Sequence, residues 1–205
     1  GLYTGDVVAG RAEALTWQRF DSLPERWVNA VVALPNGNIL VDALYLSGDA
    51  GETWRPTALN TRDASSARVL AVNGDGVVFA GFSYGLMFRS SDNGLTWTAC
   101  HSSLSNASAI GFDSNGTLFA VAGSFGDDNP YGIYRSTDNG ETAEMIMEER
   151  HDNVVVLAND HILVTRYGDI YRSVDGGETW NKVGDINQTV RQFLSEPASR
   201  AEPPR

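Results

Sequence analysis

Four carboxylates stand in stretches whose composition reads as loop: Asp63, Asp127, Asp128 and Asp152. Glycoside cleavage needs two carboxyl groups about 5–10 Å apart across a sugar. Any pair of the four is a candidate, and nothing in their spacing chooses one. Segment 124–131 sets Tyr131 beside the vicinal acids Asp127 and Asp128. Such a group can stack on a sugar and accept hydrogen bonds from its hydroxyls, while its Gly, Asp, Asn and Pro are also ordinary turn residues. Arg150-His151-Asp152, Arg166-Tyr167 and Tyr84 form a second set of ligand-binding candidates, for which a solvated loop is the plain alternative. Cys100 is the one cysteine. It excludes an internal disulfide and any cysteine metal site, and it reads as a buried thiol, since a catalytic one needs a neighbouring base. No metal or other cofactor is expected.

The elements that must position these residues come from a repeat. Ser47-Gly48-Asp49-Ala50-Gly51-Glu52-Thr53-Trp54 aligns with segments 90–97, 136–143 and 173–180, all fitting S-x-D-x-G-x-T-W except that Ala143 replaces the last tryptophan. The box serines are Ser47, Ser90, Ser136 and Ser173, and a period near 40 residues with strand-like content points to propeller blades. The box has the chemistry of a hairpin turn. Asp49, Asp92, Asp138 and Asp175 can accept backbone N–H bonds, glycine supplies a positive φ, and Trp54, Trp97 and Trp180 bring apolar surface to bury. Calcium is a poor alternative, because one or two carboxylates per box fall short of the roughly six to eight oxygens it takes.

This pattern resembles the Asp-box (BNR) repeat of sialidases, sortilin-type receptors, xyloglucanases and related propellers. The resemblance covers about residues 1–184. It implies a fold but no one function, because the family uses that fold for unrelated tasks. Sialidases of the family carry an arginine triad, an Arg-Ile-Pro motif and a tyrosine nucleophile with its glutamate. No Arg-Ile-Pro occurs here. Arg62, Arg150 and Arg166 could supply three guanidiniums, but no motif aligns them, so no catalytic residue is carried over.

The other half of each unit is a second hairpin, turning at Pro35-Asn36-Gly37, 73–76, 113–116 and 158–160 between apolar runs. Each unit therefore reads as strands A–B and then C–D, with the box at the C–D turn. The fold class is all-β, a propeller of about five four-stranded antiparallel blades. Its first blade is incomplete, a boxless hairpin at 1–4 and 15–18, and residues 189–194 offer one further strand. Closure of five blades and a fragment of a larger propeller both remain open. The propeller spans 1–195, and 196–205 reads as a mobile tail.

The resemblance places the A–B and C–D turns on one face and the D–A and B–C connections on the other, where Asp63, Tyr84, Asp127, Asp128, Tyr131, Arg150, His151, Asp152, Arg166 and Tyr167 fall. The formal charge of −11 argues against a nucleic-acid partner. No apolar run reaches the roughly 20 residues of a membrane helix. The expected function is a non-catalytic binding or scaffolding propeller recognising a glycan or a protein, extracellular or periplasmic. A sialidase-like or xyloglucanase-like glycoside hydrolase is the alternative. A structural subunit, self-associating or joined to a neighbouring subunit through open blade edges, is the second alternative.

Overall fold

The structure, a computed structural model, describes residues 28–59, 67–124 and 129–185, together with short strands at Tyr3–Thr4 (β1) and Gln18–Arg19 (β2). Blade 1 contains β3 (Val31–Ala33), β4 (Ile39–Val41), β5 (Tyr45–Ser47) and β6 (Arg55–Pro56). Blade 2 contains β7 (Ala67–Val72), β8 (Val78–Phe82), β9 (Phe88–Ser90) and β10 (Thr98–Ala99). Blade 3 contains β11 (Ala109–Phe112), β12 (Leu118–Ala122), β13 (Gly132–Ser136) and β14 (Glu144–Glu148). Blade 4 contains β15 (Asn153–Val156), β16 (Ile162–Arg166), β17 (Asp169–Ser173) and β18 (Asn181–Asp185).

Each blade is an antiparallel meander in chain order. The expected fifth hairpin is present as β1 paired with β2, Tyr3 opposite Arg19. The first strands of successive blades, β3, β7, β11 and β15, lie beside one another, as innermost strands of a propeller do. Among the described residues the chain thus forms a partial propeller of four complete blades. The expected strand at 189–194 and tail at 196–205 lie outside the described residues. Among those described, the one helical segment is a 3-10 turn at Ser102–Leu104, and no helix is long and apolar enough to cross a membrane.

The second strand of each blade carries the core. Every residue of β8 and of β12 is buried, because a strand covered by a neighbouring blade on both faces reads as a continuous apolar run. Leu40 and Leu46 pack with Val78 between blades 1 and 2, Phe79 with Leu118 and Ala120 between 2 and 3, and Phe119 with Val154 and Val164 between 3 and 4. Cys100 lies in the second of these layers, where burial pushes its thiol up to about 12. It is a packing residue, as its sequence suggests.

The four boxes share one hydrogen-bond set. The box serine hydroxyl donates to the aspartate at 2.7–2.8 Å and accepts the amide of Gly51, Gly94, Gly140 or Gly177 at 2.8–2.9 Å. Asp49, Asp92, Asp138 and Asp175 each accept the amide and the hydroxyl of the box threonine. Their oxygens are engaged by the turn itself. Where the tryptophan is present, its indole N–H closes the turn onto the box glycine carbonyl at 3.0–3.1 Å. The glycine is required twice over in the third box. Gly140 has φ +82°, and a Cβ there would lie 2.9 Å from Cys100 Sγ of the preceding blade. Ala143 packs against the same layer in place of a tryptophan.

These bonds favour the ionised carboxylates. Asp49, Asp138 and Asp175 are held at about 2, foremost by the hydroxyls of Thr53, Thr142 and Thr179. For Asp92 burial acts in the opposite direction, and the bonds from Thr96 and Ser90 outweigh it. A folded value below the unfolded one means that the unfolded chain binds more protons between the two. Stability is therefore expected to hold above the ordinary carboxylate value of 3.8 and to fall as pH drops from there toward about 2, which chemical denaturation at graded pH will measure. Asp92→Ala removes one such acceptor and strands its donors. It should cost about 1–3 kcal/mol and lower the melting temperature, without selectively removing ligand binding.

Candidate functional site

The hydrogen bonds between turns confirm that the two ends of the blades are distinct. The A–B turn of blade 2 meets the third box through Asn73 and Asn139 at 3.0 Å, and the A–B turns of blades 3 and 4 meet through Ser114 and Asp160 at 2.7 Å. At the other end, the D–A and B–C connections of blades 2 to 4 surround a cleft of about 200 Å³. Ser83 and Tyr84 come to it from the B–C turn of blade 2, Arg68 from the start of β7, and Asn106 and Ser108 from the connection into blade 3. Ala122 ends β12, Tyr131 follows from the same blade's B–C loop, and Arg150, His151 and Asp152 close the circuit.

Local structure explains how these side chains are presented. Tyr84 lies in a tight turn at φ 57°, Tyr167 in another at φ 51°, and the two are 98% and 75% exposed. A left-handed non-glycine residue carries strain that surrounding structure must hold. At Tyr167 the hold is visible, since its amide donates to Asp152 Oδ2 at 3.0 Å. Tyr131 is set by the end of its loop. There Asn129 donates to Ser105 Oγ at 2.7 Å and to the carbonyl of Ser102 at 3.2 Å, and the Tyr134 hydroxyl donates to the Pro130 carbonyl at 2.6 Å.

The segment 149–152 concentrates the electrostatics. Glu149, at φ 86°, pairs its carboxylate with Arg166, and its carbonyl lies 2.9 Å from His151 Nδ1. That contact makes Nδ1 the protonated nitrogen and leaves Nε2 as an acceptor. His151 is 3% exposed, and its Nε2 has no partner. Burial pulls the imidazole below its ordinary value, with Asp152 partly opposing. The Arg150 guanidinium lies 5.8 Å from the centre of the Tyr131 ring, within cation–π range. Among the described residues, neither Arg68 nor Arg150 forms an ion pair. Asp152 is the one described carboxylate lining the cleft.

The structure therefore gathers Tyr84, Tyr131, Arg150, His151 and Asp152 in one place. Arg166 and Tyr167 stand behind it, with the Arg166 guanidinium 5.5 Å from the Tyr167 ring. They hold the 149–152 segment and do not line the cleft. Tyr167 is exposed and does not pack between blades. Asp63, Asp127 and Asp128 lie outside the described residues. Sequence reasoning passed over Arg68, Ser83, Asn106 and Ser108. Arg68 carried one usable signal, as the first charged residue after a D–A connection. The described residues contain no cluster of His, Cys, Asp or Glu suited to a metal ion.

A sequence profile of the BNR/Asp-box repeat matches residues 171–182, from the third strand of blade 4 through its box. No curated protein matches the chain significantly in sequence. Among solved structures, an ancestral GH74 enzyme superposes with a TM-score of 0.64 at 21% identity, over 86% of this chain and 26% of the enzyme. YCF48 bound to D1 peptide gives 0.58 at 20% identity, over 81% and 56%. An extracellular domain from B. thetaiotaomicron gives 0.61 at 12% identity, over 86% and 27%. The chain thus spans about a quarter of the GH74 enzyme's length. At these identities the likeness is one of fold, and with four boxes in phase it makes the chain a BNR-type β-propeller.

Proposed function

We propose that this propeller is a binding module that holds a glycan or a protein segment in the cleft between Arg68 and Asp152. One observation carries the reading. His151 lines the cleft, and its buried Nε2 lacks a hydrogen bond. A buried polar atom without a partner costs stability and is rare in native structures. A ligand O–H or N–H at this point completes it. Around it stand two guanidiniums without an ion pair among the described residues, the exposed ring of Tyr84 and the polar groups of Ser83, Asn106 and Ser108, which suit orientation by contact rather than bond cleavage. YCF48 bound to D1 peptide supports a propeller of this kind holding a peptide. The extracellular domain supports a location outside the cytoplasm, extracellular or periplasmic.

The likeness to a GH74 enzyme favours a second reading, hydrolysis of a glycoside, with Asp152 as one of the two carboxylates. A glycan array, a peptide array and a panel of fluorogenic glycosides separate the two. The binding reading expects capture without turnover. It also expects Arg150→Ala and Tyr131→Ala each to weaken capture about tenfold, near 1.4 kcal/mol, at unchanged melting temperature. Turnover that Asp152→Asn abolishes would instead establish the hydrolase. In the free protein, nitrogen-detected NMR should find His151 protonated at Nδ1 and titrating below its ordinary value of 6.5. Titration above that value would remove the vacant acceptor on which the site is built.

A further inference from the structure

The cleft differs in charge from the chain that carries it. Acidic residues outnumber lysine and arginine by 26 to 15, so a carboxylate is readily found for a guanidinium. Arg89, Arg135 and Arg166 each pair with a glutamate. Arg68 and Arg150 line the cleft with no ion pair among the described residues. The backbone is shaped to present both. The register of β7 against β8 sets Ala67 opposite Phe82 and Val69 opposite Gly81, which makes Arg68 the extra residue of a bulge. A bulge re-aims the side chain it carries, and bulges gather next to active sites. Arg150 follows Glu149, a non-glycine residue at φ 86° whose carboxylate is held by Arg166. That acid is therefore not the partner of Arg150.

The other groups around the cleft call for donors and for an apolar surface. His151 lines it, and its buried Nε2 has no hydrogen bond. Asp152, whose Oδ2 accepts the Tyr167 amide, is a second acceptor. Tyr84 offers an exposed ring, and Arg150 lies over the ring of Tyr131. A ligand that satisfies this set brings an anion, hydroxyl donors and a face of C–H groups. The space is about 200 Å³, less than the roughly 300 Å³ at which pockets for drug-sized ligands begin. It suits one ring of a longer chain. A hexuronic acid residue carries all three features on a rigid ring. An aspartate or glutamate side chain brings the anion alone, and a flexible peptide loses more freedom when it is ordered.

We infer that the cleft binds a uronic acid residue of an acidic polysaccharide. Its carboxylate lies between Arg68 and Arg150, whose planar forks match carboxylate geometry. Its hydroxyls donate to His151 and Asp152, and its ring packs against Tyr84. This rests on the binding reading of the cleft and narrows it to one class of ligand.

Isothermal titration calorimetry with tetrasaccharides of galacturonate, of mannuronate and of the glucuronate-containing hyaluronan tests the inference. Each is compared with its carboxyl-reduced form, which keeps the ring and replaces the anion by a hydroxymethyl group. At least one uronate should bind about tenfold or more tightly than its reduced form, the difference expected for hydrogen bonds to a charged group. Arg68→Gln and Arg150→Gln should each bring that ratio close to one, at an unchanged melting temperature. A uronate that binds no better than its reduced form overturns the inference, as does a preference that survives both variants. No capture of any of the three uronates also overturns it. In that case, neutral glycans or peptides captured on arrays leave the binding reading standing, and arrays that capture nothing overturn both.

Discussion

In each box one aspartate satisfies the amide and hydroxyl of a threonine four residues on, while the serine two residues before it caps the glycine amide. This closes the C–D turn with side-chain acceptors where a two-residue loop would use the backbone alone. Because side chains alternate along a strand, fixing the turn fixes which face of β5, β9, β13 and β17 meets the neighbouring blade. A slip of one residue would carry Leu46, Arg89 and Arg135 to the opposite face and undo every seam at once. The backbone carries the cost of this turn. Ala50, Asn93 and Asn139 adopt left-handed φ values of 57–58° just before the box glycine.

The seams follow from the turn. Box glycine and tryptophan lean on the preceding blade, while the arginine of the preceding blade holds the box carbonyls from the other side. Sidedness in the loops follows as well. The end of each blade that carries boxes and A–B turns is consumed by hydrogen bonds of the scaffold. The opposite end is free to vary in length and chemistry, and the cleft forms there, beside Tyr131 and the strained 149–152 segment. Rigid blades below and irregular loops above is the usual division between stability and recognition.

Much of the architecture was legible before any coordinates. Four boxes in phase, with Asn-Gly turns between them, define meanders whose order the structure repeats. The tryptophans sit equivalently because one motif dictates one turn. The cleft was legible only in part. Tyr84, Tyr131, Arg150, His151 and Asp152 stood out by residue type in the right loops. Their convergence depends on blades packed about an axis, and linear spacing does not carry that. Arg68 and Ser108 hid inside strand patterns, where polar residues ordinarily mean a solvated edge. Burial of His151 was hidden for the same reason, since a histidine between arginine and aspartate reads as surface. The pairs that Arg89 and Arg135 make with Glu141 and Glu178 of the next blade were present in the sequence as Arg-Ser before three boxes and Glu after three box glycines. They acquire meaning only once the blade order shows which arginine faces which glutamate.

The central claim is that the boxes are the structural closures of the blades, and amide hydrogen exchange at the four box glycines tests it most directly. The amides of Gly51, Gly94, Gly140 and Gly177 donate to buried serine hydroxyls. They should therefore exchange as slowly as the central strands β8 and β12, opening only with the blade. Exchange of these four amides at the rate of exposed loops, while β8 and β12 stay protected, would contradict the account.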